Sequence, residues 1–141
     1  MEDLKDIIKL NLSSSISLFD ITEENLILFK EENYVNKSNF YFWLLTMLDD
    51  LDNSDNFSEL SHGHYLASYF LLVIFMPLNY EKLAFNHCKK AIKFDESNLK
   101  YKEWLLIFST YNLLSEGETM ALFEEISSKN PNSSILNNII N

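Results

Sequence analysis

Three groups of side chains have the types that do chemistry. His62 and His64 lie two apart, and His87 directly precedes Cys88, the only cysteine. Imidazole and thiolate ligate zinc or form a nucleophile–base pair. On a helix, residues two apart point about 200° apart, and adjacent residues also lie on different faces. No spacing here matches a zinc site. The expected roles are structural: a hydrogen-bonded core residue at His62 and a packed, unreactive thiol at Cys88. The third group is the run Asp50-Leu51-Asp52-Asn53-Ser54-Asp55, which opens like a calcium loop. The sixth place of such a loop requires glycine and holds Asp55; the twelfth requires glutamate and holds Ser61. The pairs Glu23-Glu24, Glu31-Glu32 and Glu124-Glu125 read as solvated helix faces. There is no G-x-S-x-G, no H-E-x-x-H and no glycine-rich phosphate loop. The sequence therefore predicts a non-enzymatic protein without a catalytic residue, metal or cofactor.

Composition narrows the scaffold. The chain has 141 residues, 47% hydrophobic and 14% aromatic, which suffices for one domain with a buried core. Two glycines and two prolines are too few for the positive-φ turns of hairpins and barrels. Net charge is −10, and every cation is lysine. Residues 1–60 hold thirteen acids and four lysines; residues 61–141 hold eight and seven. An acidic field of this kind repels nucleic acid and attracts basic surfaces. A single cysteine permits no internal disulfide. Met1-Glu2-Asp3-Leu4-Lys5 lacks the apolar stretch of a signal peptide, so a cytoplasmic location is expected. Leu60–Tyr80 carries no Asp, Glu or Lys, but Ser61, His62, Gly63, His64 and Asn79 dilute its ends and Pro77 cuts it. A buried core helix is expected there, not a membrane span.

The elements that must position these groups all read as helices, seven to eight in number. A weak helix is expected over 3–17, with Leu4, Ile7, Ile8 and Leu12. A second is expected from an Asp20 cap with Glu23 as its box partner, running to about Asn33. A third is expected from a Ser38 cap; Phe40, Trp43, Leu44, Met47, Leu48 and Leu51 repeat at helical spacing, and Tyr41, Phe42 and Leu45 widen the buried face. Asp49–Asn56 is expected to be a loop. Further helices are expected from Ser58 to Pro77, from Tyr80 to Phe94, from Asn98 to a Gly117 C-cap, and over Glu118–Lys129. A short last helix would pack as a cap through Ile135, Leu136, Ile139 and Ile140.

In the second half, Trp104, Ile107 and Tyr111 take the W-x-x-L-x-x-x-Y spacing that opens a tetratricopeptide unit. Ala84, Cys88 and Ala91 take its small second-helix positions one unit earlier, followed by Asp95. Residues 65–98 and about 101–132 thus resemble two tetratricopeptide units. The family's first-helix glycine is Leu72 in one and Phe108 in the other; the closing proline is Glu96 in the first and Pro131 in the second. The resemblance implies antiparallel helical hairpins stacked as a short right-handed superhelix, with acidic N-terminal helices over 1–60 and the hairpins over 61–141 of one domain. It implies a protein-binding role, with a groove lined by Tyr69, Val73, Lys102, Leu105, Ser109 and Asn112. The family's carboxylate clamp is not reproduced, since Lys102 stands alone. An unrelated helical bundle is the alternative fold.

In its overall character the chain resembles bacterial immunity proteins and antitoxins, which bind and neutralise a toxin. That resemblance implies a basic toxin or effector as partner, steered by Asp49, Asp50, Asp52, Asp55 and Glu59. The alternative is an adaptor or secretion chaperone holding an extended peptide in the groove.

Overall fold

The computed structural model describes residues 16–140. Positions 3–15 of the expected first helix lie outside that range. Among the described residues the fold is all-α, with seven α-helices and no strand. They are α1 (Glu23–Ile27), α2 (Tyr34–Asp52), α3 (Phe57–Phe70), α4 (Tyr80–Phe94), α5 (Leu99–Ile107), α6 (Glu116–Lys129) and α7 (Ser134–Ile140). From α2 onward each helix packs on the next in sequence, α1 packs on α3, and α5 also packs on α7. Paired positions show antiparallel neighbours: Gly63 of α3 meets Leu48 of α2, His64 of α3 meets His87 of α4, and Phe85 of α4 meets Phe108 just beyond α5.

Local chemistry moves several expected boundaries. Asp20 does not cap α1. It closes a 3-10 turn, Leu18–Asp20, that Ser17 caps. The chain is then extended through Thr22, which forms the capping box with Asn25 instead. α1 tightens into a 3-10 turn over Leu28–Glu31 rather than running on to Asn33. α2 starts a turn before Ser38, because the Asn33 side chain accepts from the Asn36 backbone N–H at 2.8 Å. It also runs further than expected, so Asp49, Asp50 and Asp52 lie on its last turn rather than in a loop. α3 starts at Phe57, ahead of the expected Ser58 cap. Gly117 is no C-cap; it sits in the first turn of α6. The α5 chain ends through a 3-10 turn at Asn112, whose φ of 60° is left-handed. Asparagine tolerates that conformation nearly as glycine does.

α3 ends in a π turn, Leu71–Phe75, closed by Met76 N–H to Leu71 O at 3.0 Å. Met76 and Asn79 flank Pro77 and Leu78 with φ values of 47° and 62°. No helix among the described residues is long and apolar enough to cross a membrane.

The main core lies where α2, α3 and α4 meet. Phe29, Phe40 and Phe70 are fully buried, with ring centroids 4.8–5.8 Å apart. Such pairs add about 1 kcal/mol each beyond area burial. The six apolar positions at helical spacing in α2 all face inward, Leu51 only half-buried. Phe42, expected on the same face, is 60% exposed. It sits nearly opposite Leu44, so the helix is buried on one side only. A small separate cluster of Leu106, Ile126 and Leu136 closes the C-terminal end. Ile135 is half-buried against it, and the side chains of Ile139 and Ile140 lie outside the description.

Candidate functional site

The α2–α3 junction gathers the chain's densest charge. Asp49, Asp50, Asp52 and Asp55 are all exposed there, and no lysine occurs between Lys37 and Lys82. Glu59 plays a different part. Its Oε2 accepts from the Leu18 backbone N–H at 3.1 Å and from Ser17 Oγ at 3.4 Å. It therefore anchors the 3-10 turn to α3 and is half-buried. Two open clefts flank it. One, of about 420 Å³, is bordered by Met47, Asp50, Leu51 and Ser54. The other, of about 310 Å³, is bordered by Phe19, Asp55 and Phe57. The run that opens like a calcium loop is not a loop at its start, because Asp50 and Asp52 are helical, and Ser61 lies inside α3. The four aspartates instead form a negative shoulder fed by the end of one helix and the turn after it. That end carries the negative pole of the α2 dipole as well.

The six groove positions implied by the repeat have different surroundings. The Tyr69 ring packs tilted against Trp104, centroids 5.4 Å apart, and Tyr69, Val73 and Leu105 pack half-buried against the main core. Lys102 reaches α6, where its Nζ lies 2.5 Å from Glu125 Oε1, a carboxylate shared with Lys129. These two lysines hold the Glu125 carboxyl below its ordinary range. Ser109 and Asn112 line an open cleft of about 420 Å³ with Leu114, Glu116, Thr119 and Met120.

The histidines form an assembly that local spacing did not reveal. His64 Nδ1 and His87 Nδ1 lie 2.9 Å apart, and His87 Nε2 lies 3.0 Å from the Tyr41 hydroxyl. All three side chains are buried. Nδ1 facing Nδ1 requires one ring to donate and the other, neutral, to accept, and burial favours the neutral form of both. Tyr41 O–H donating to His87 Nε2, and His87 Nδ1–H donating to His64 Nδ1, uses every proton in the chain of bonds. Burial is the main cause holding His64 down to about 4, with the Lys90 charge adding to it. Burial holds His87 down to about 3, with His64 and Lys90 adding. A signal for this pair existed in the sequence. In an antiparallel hairpin of α3 on α4 folding back about residue 76, residue 64 falls opposite residue 87.

His62 is half-buried, its Nε2 2.9 Å from the Ile21 carbonyl. The Cys88 thiol is buried, donates to Tyr101 O at 3.5 Å, and is pushed up by burial to about 12. A thiol so held stays protonated and packs as an apolar group. No three described His, Cys, Asp or Glu side chains converge as metal ligands do.

Comparison with known protein families, with characterised proteins and with solved structures finds no match for this chain.

Proposed function

We propose that this chain is a protein-binding helical module of the immunity or antitoxin type, which neutralises a basic polypeptide received at its acidic shoulder. The observation that carries the reading is the convergence of Asp49, Asp50, Asp52 and Asp55 on one exposed junction, in a stretch of sequence without lysine from 38 to 81. Such a surface accelerates encounter with a basic partner more than it strengthens the final complex. The scaffold in this reading is a tetratricopeptide-like stack. Its support is the indole of Trp104, which donates to Ser68 Oγ at 2.8 Å while that hydroxyl donates to Ala84 O at 2.6 Å. The conserved-type repeat position on α5 thus ties the second hairpin to both helices of the first.

A second reading, a peptide-holding adaptor or secretion chaperone, is favoured by the cleft at Ser109 and Asn112 beside exposed Met120. Zero-length carbodiimide coupling in the native cell separates the two, since it joins carboxylates only to amines in contact with them. Cross-links from Asp49, Asp50, Asp52 or Asp55 to a lysine-rich partner are expected. Reversing these four charges to lysine should slow association with that partner about tenfold at low salt and flatten its salt dependence. Cross-links that map to Glu116, with association unaffected by the reversal, would move the site to the cleft.

A further inference from the structure

The outward face of α2 carries a stripe that is left exposed among the described residues. Val35, Asn39, Phe42, Thr46, Asp49 and Asn53 follow one another at spacings of four, three, four, three and four. That is the seam of a coiled coil, which keeps one line of side chains toward a partner helix. All six are exposed, Val35 at 63% and Phe42 at 60%. They lie nearly opposite the Leu44 line that enters the core. The seam is about 27 Å long, apolar toward its N-terminal end and acidic toward its C-terminal end. Exposed Tyr34 widens the apolar end. Its ring packs 5.2 Å from Phe75, which itself lies 5.9 Å from Tyr41, the residue beside Phe42.

We infer that this seam seats one amphipathic helix of a partner polypeptide, with large apolar side chains on Val35 and Phe42 and lysine or arginine over Asp49 and Asp50. The inference rests on the reading of the acidic shoulder as the docking site of a basic protein, and adds to it a helical ligand and a polarity. Charge decides the occupant. A second copy, paired about the seam's midpoint, would bring Asp49 against Asn39 with no cation to meet it, and two chains of −10 repel. An anionic lipid surface or a nucleic acid meets the same repulsion. A polypeptide with the opposite pattern satisfies both halves of the seam at once, and Asn39 and Asn53 at seam positions would fix its register.

The test uses the full chain and two labelled synthetic peptides of about 21 residues, three heptads. One has leucine at seam positions through one half and lysine through the other. Its isomer has the same composition with the pattern scrambled. At ~50 mM salt, where charges act over about 14 Å, fluorescence anisotropy should show the patterned peptide bound at least tenfold tighter. Phe42→Asp should erase that preference, and the pair Asp49→Lys with Asp50→Lys should weaken both peptides. Phe42 is exposed, so an unchanged unfolding midpoint shows that the variant is folded; Val35→Asp repeats the test one heptad away. Three results would overturn the seam: equal binding of the isomers, a preference that survives Phe42→Asp, or sedimentation showing a dimer that Phe42→Asp dissolves. Carbodiimide cross-links from Asp49 or Asp50 to Lys5 or Lys9 of the same chain would also do so, by giving the seam to the chain's own N-terminal segment. If charge reversal leaves both peptides unaffected, the acidic-shoulder reading fails as well. If charge reversal weakens them and Phe42→Asp does nothing, only the seam fails.

Discussion

Two polar joints sit one turn apart on the same side of α3, and they are built from opposite kinds of chemistry. At His64, three helices meet through titratable groups: Tyr41 from α2, His64 from α3 and His87 from α4. At Ser68, three helices meet through groups that carry no proton to lose near neutrality: Ser68 from α3, the Ala84 carbonyl from α4 and the Trp104 indole from α5. Both are buried or nearly so, and both join α3 to α4 plus one more helix. The difference is that acid can enter the first joint and has nothing to act on in the second. A proton on His87 Nε2 turns the Tyr41 hydroxyl from donor to acceptor and puts a buried charge in the joint; a proton on His64 Nδ1 places N–H groups on both facing nitrogens, so the bond between α3 and α4 becomes a repulsion. The joint that includes α2 is thereby acid-sensitive and the joint that includes α5 is not.

The largest effect expected is therefore on stability against pH. Both histidines are depressed in the folded chain relative to about 6.5 when unfolded. The unfolded state then binds more protons below pH 6.5. Stability is fully present above 6.5 and declines as pH falls toward 4, by about 1.4 kcal/mol per pH unit for each histidine that stays neutral. At pH 4.5 the loss is on the order of 5 kcal/mol for the two together. The groups facing the pair are Tyr41, Lys90 and the Phe94 ring; burial pushes the Tyr41 hydroxyl up, away from this window. Glu23, lowered by Lys100 and by hydrogen bonds against the opposing effect of burial, adds its own loss only below its ordinary range. Urea midpoints measured from pH 7.5 to 4.5 check this. Replacing His64 and His87 together by Phe should flatten the profile; a slope that persists would place the acid sensitivity elsewhere.

Breaking the second joint should cost less and show no pH dependence. Ser68→Ala removes the acceptor of the Trp104 indole and a donor to the Ala84 carbonyl. Leaving a buried donor unpaired costs about 1–3 kcal/mol, so a loss of about 2 kcal/mol is expected at both pH 7.5 and pH 5. A loss that grows with acid would show that the two joints act as one network.

The sequence foretold the helices better than the joints, for a physical reason. α4 was legible end to end, from Tyr80 to Phe94, because its small residues Ala84, Cys88 and Ala91 and its charged face repeat at 3.6-residue spacing. Element ends were less legible where two capping side chains competed, as Asp20 and Thr22 did, or Ser38 and Asn33. The four exposed aspartates were legible as a charge run, although their placement on a helix end was not. Glu59 was read as part of the same surface, but its commitment to the Leu18 amide arises from a contact 41 residues distant. The His64–His87 pair was missed because only local spacing was weighed, and its partner lies across a hairpin. The outward seam of α2 was present in the spacing of Val35, Phe42 and Asp49, and was obscured by assigning Phe42 to the core.

A smaller effect tests whether the two faces of α3 act independently. Gly63 adjoins His64 but points elsewhere: a Cβ there would lie 2.6 Å from Leu18 Cδ1 and 2.7 Å from Leu48 Cδ2. Both leucines are buried, so their methyl groups have little room to retreat. Gly63→Ala gains about 1 kcal/mol of helix propensity and loses about 1–3 kcal/mol to overpacking. The net expectation is a destabilisation of about 1 kcal/mol, with the slope against pH unchanged. Adding Leu18→Ala removes one contact and gives the Leu48 methyl room to move away from the new one, so in that background Gly63→Ala should stabilise instead. A double-mutant cycle read from urea midpoints measures this reversal as a coupling of about 1–2 kcal/mol. A coupling near zero would mean that the glycine serves the His64 side of the helix after all, and the pH profile of the single variant would then shift with it.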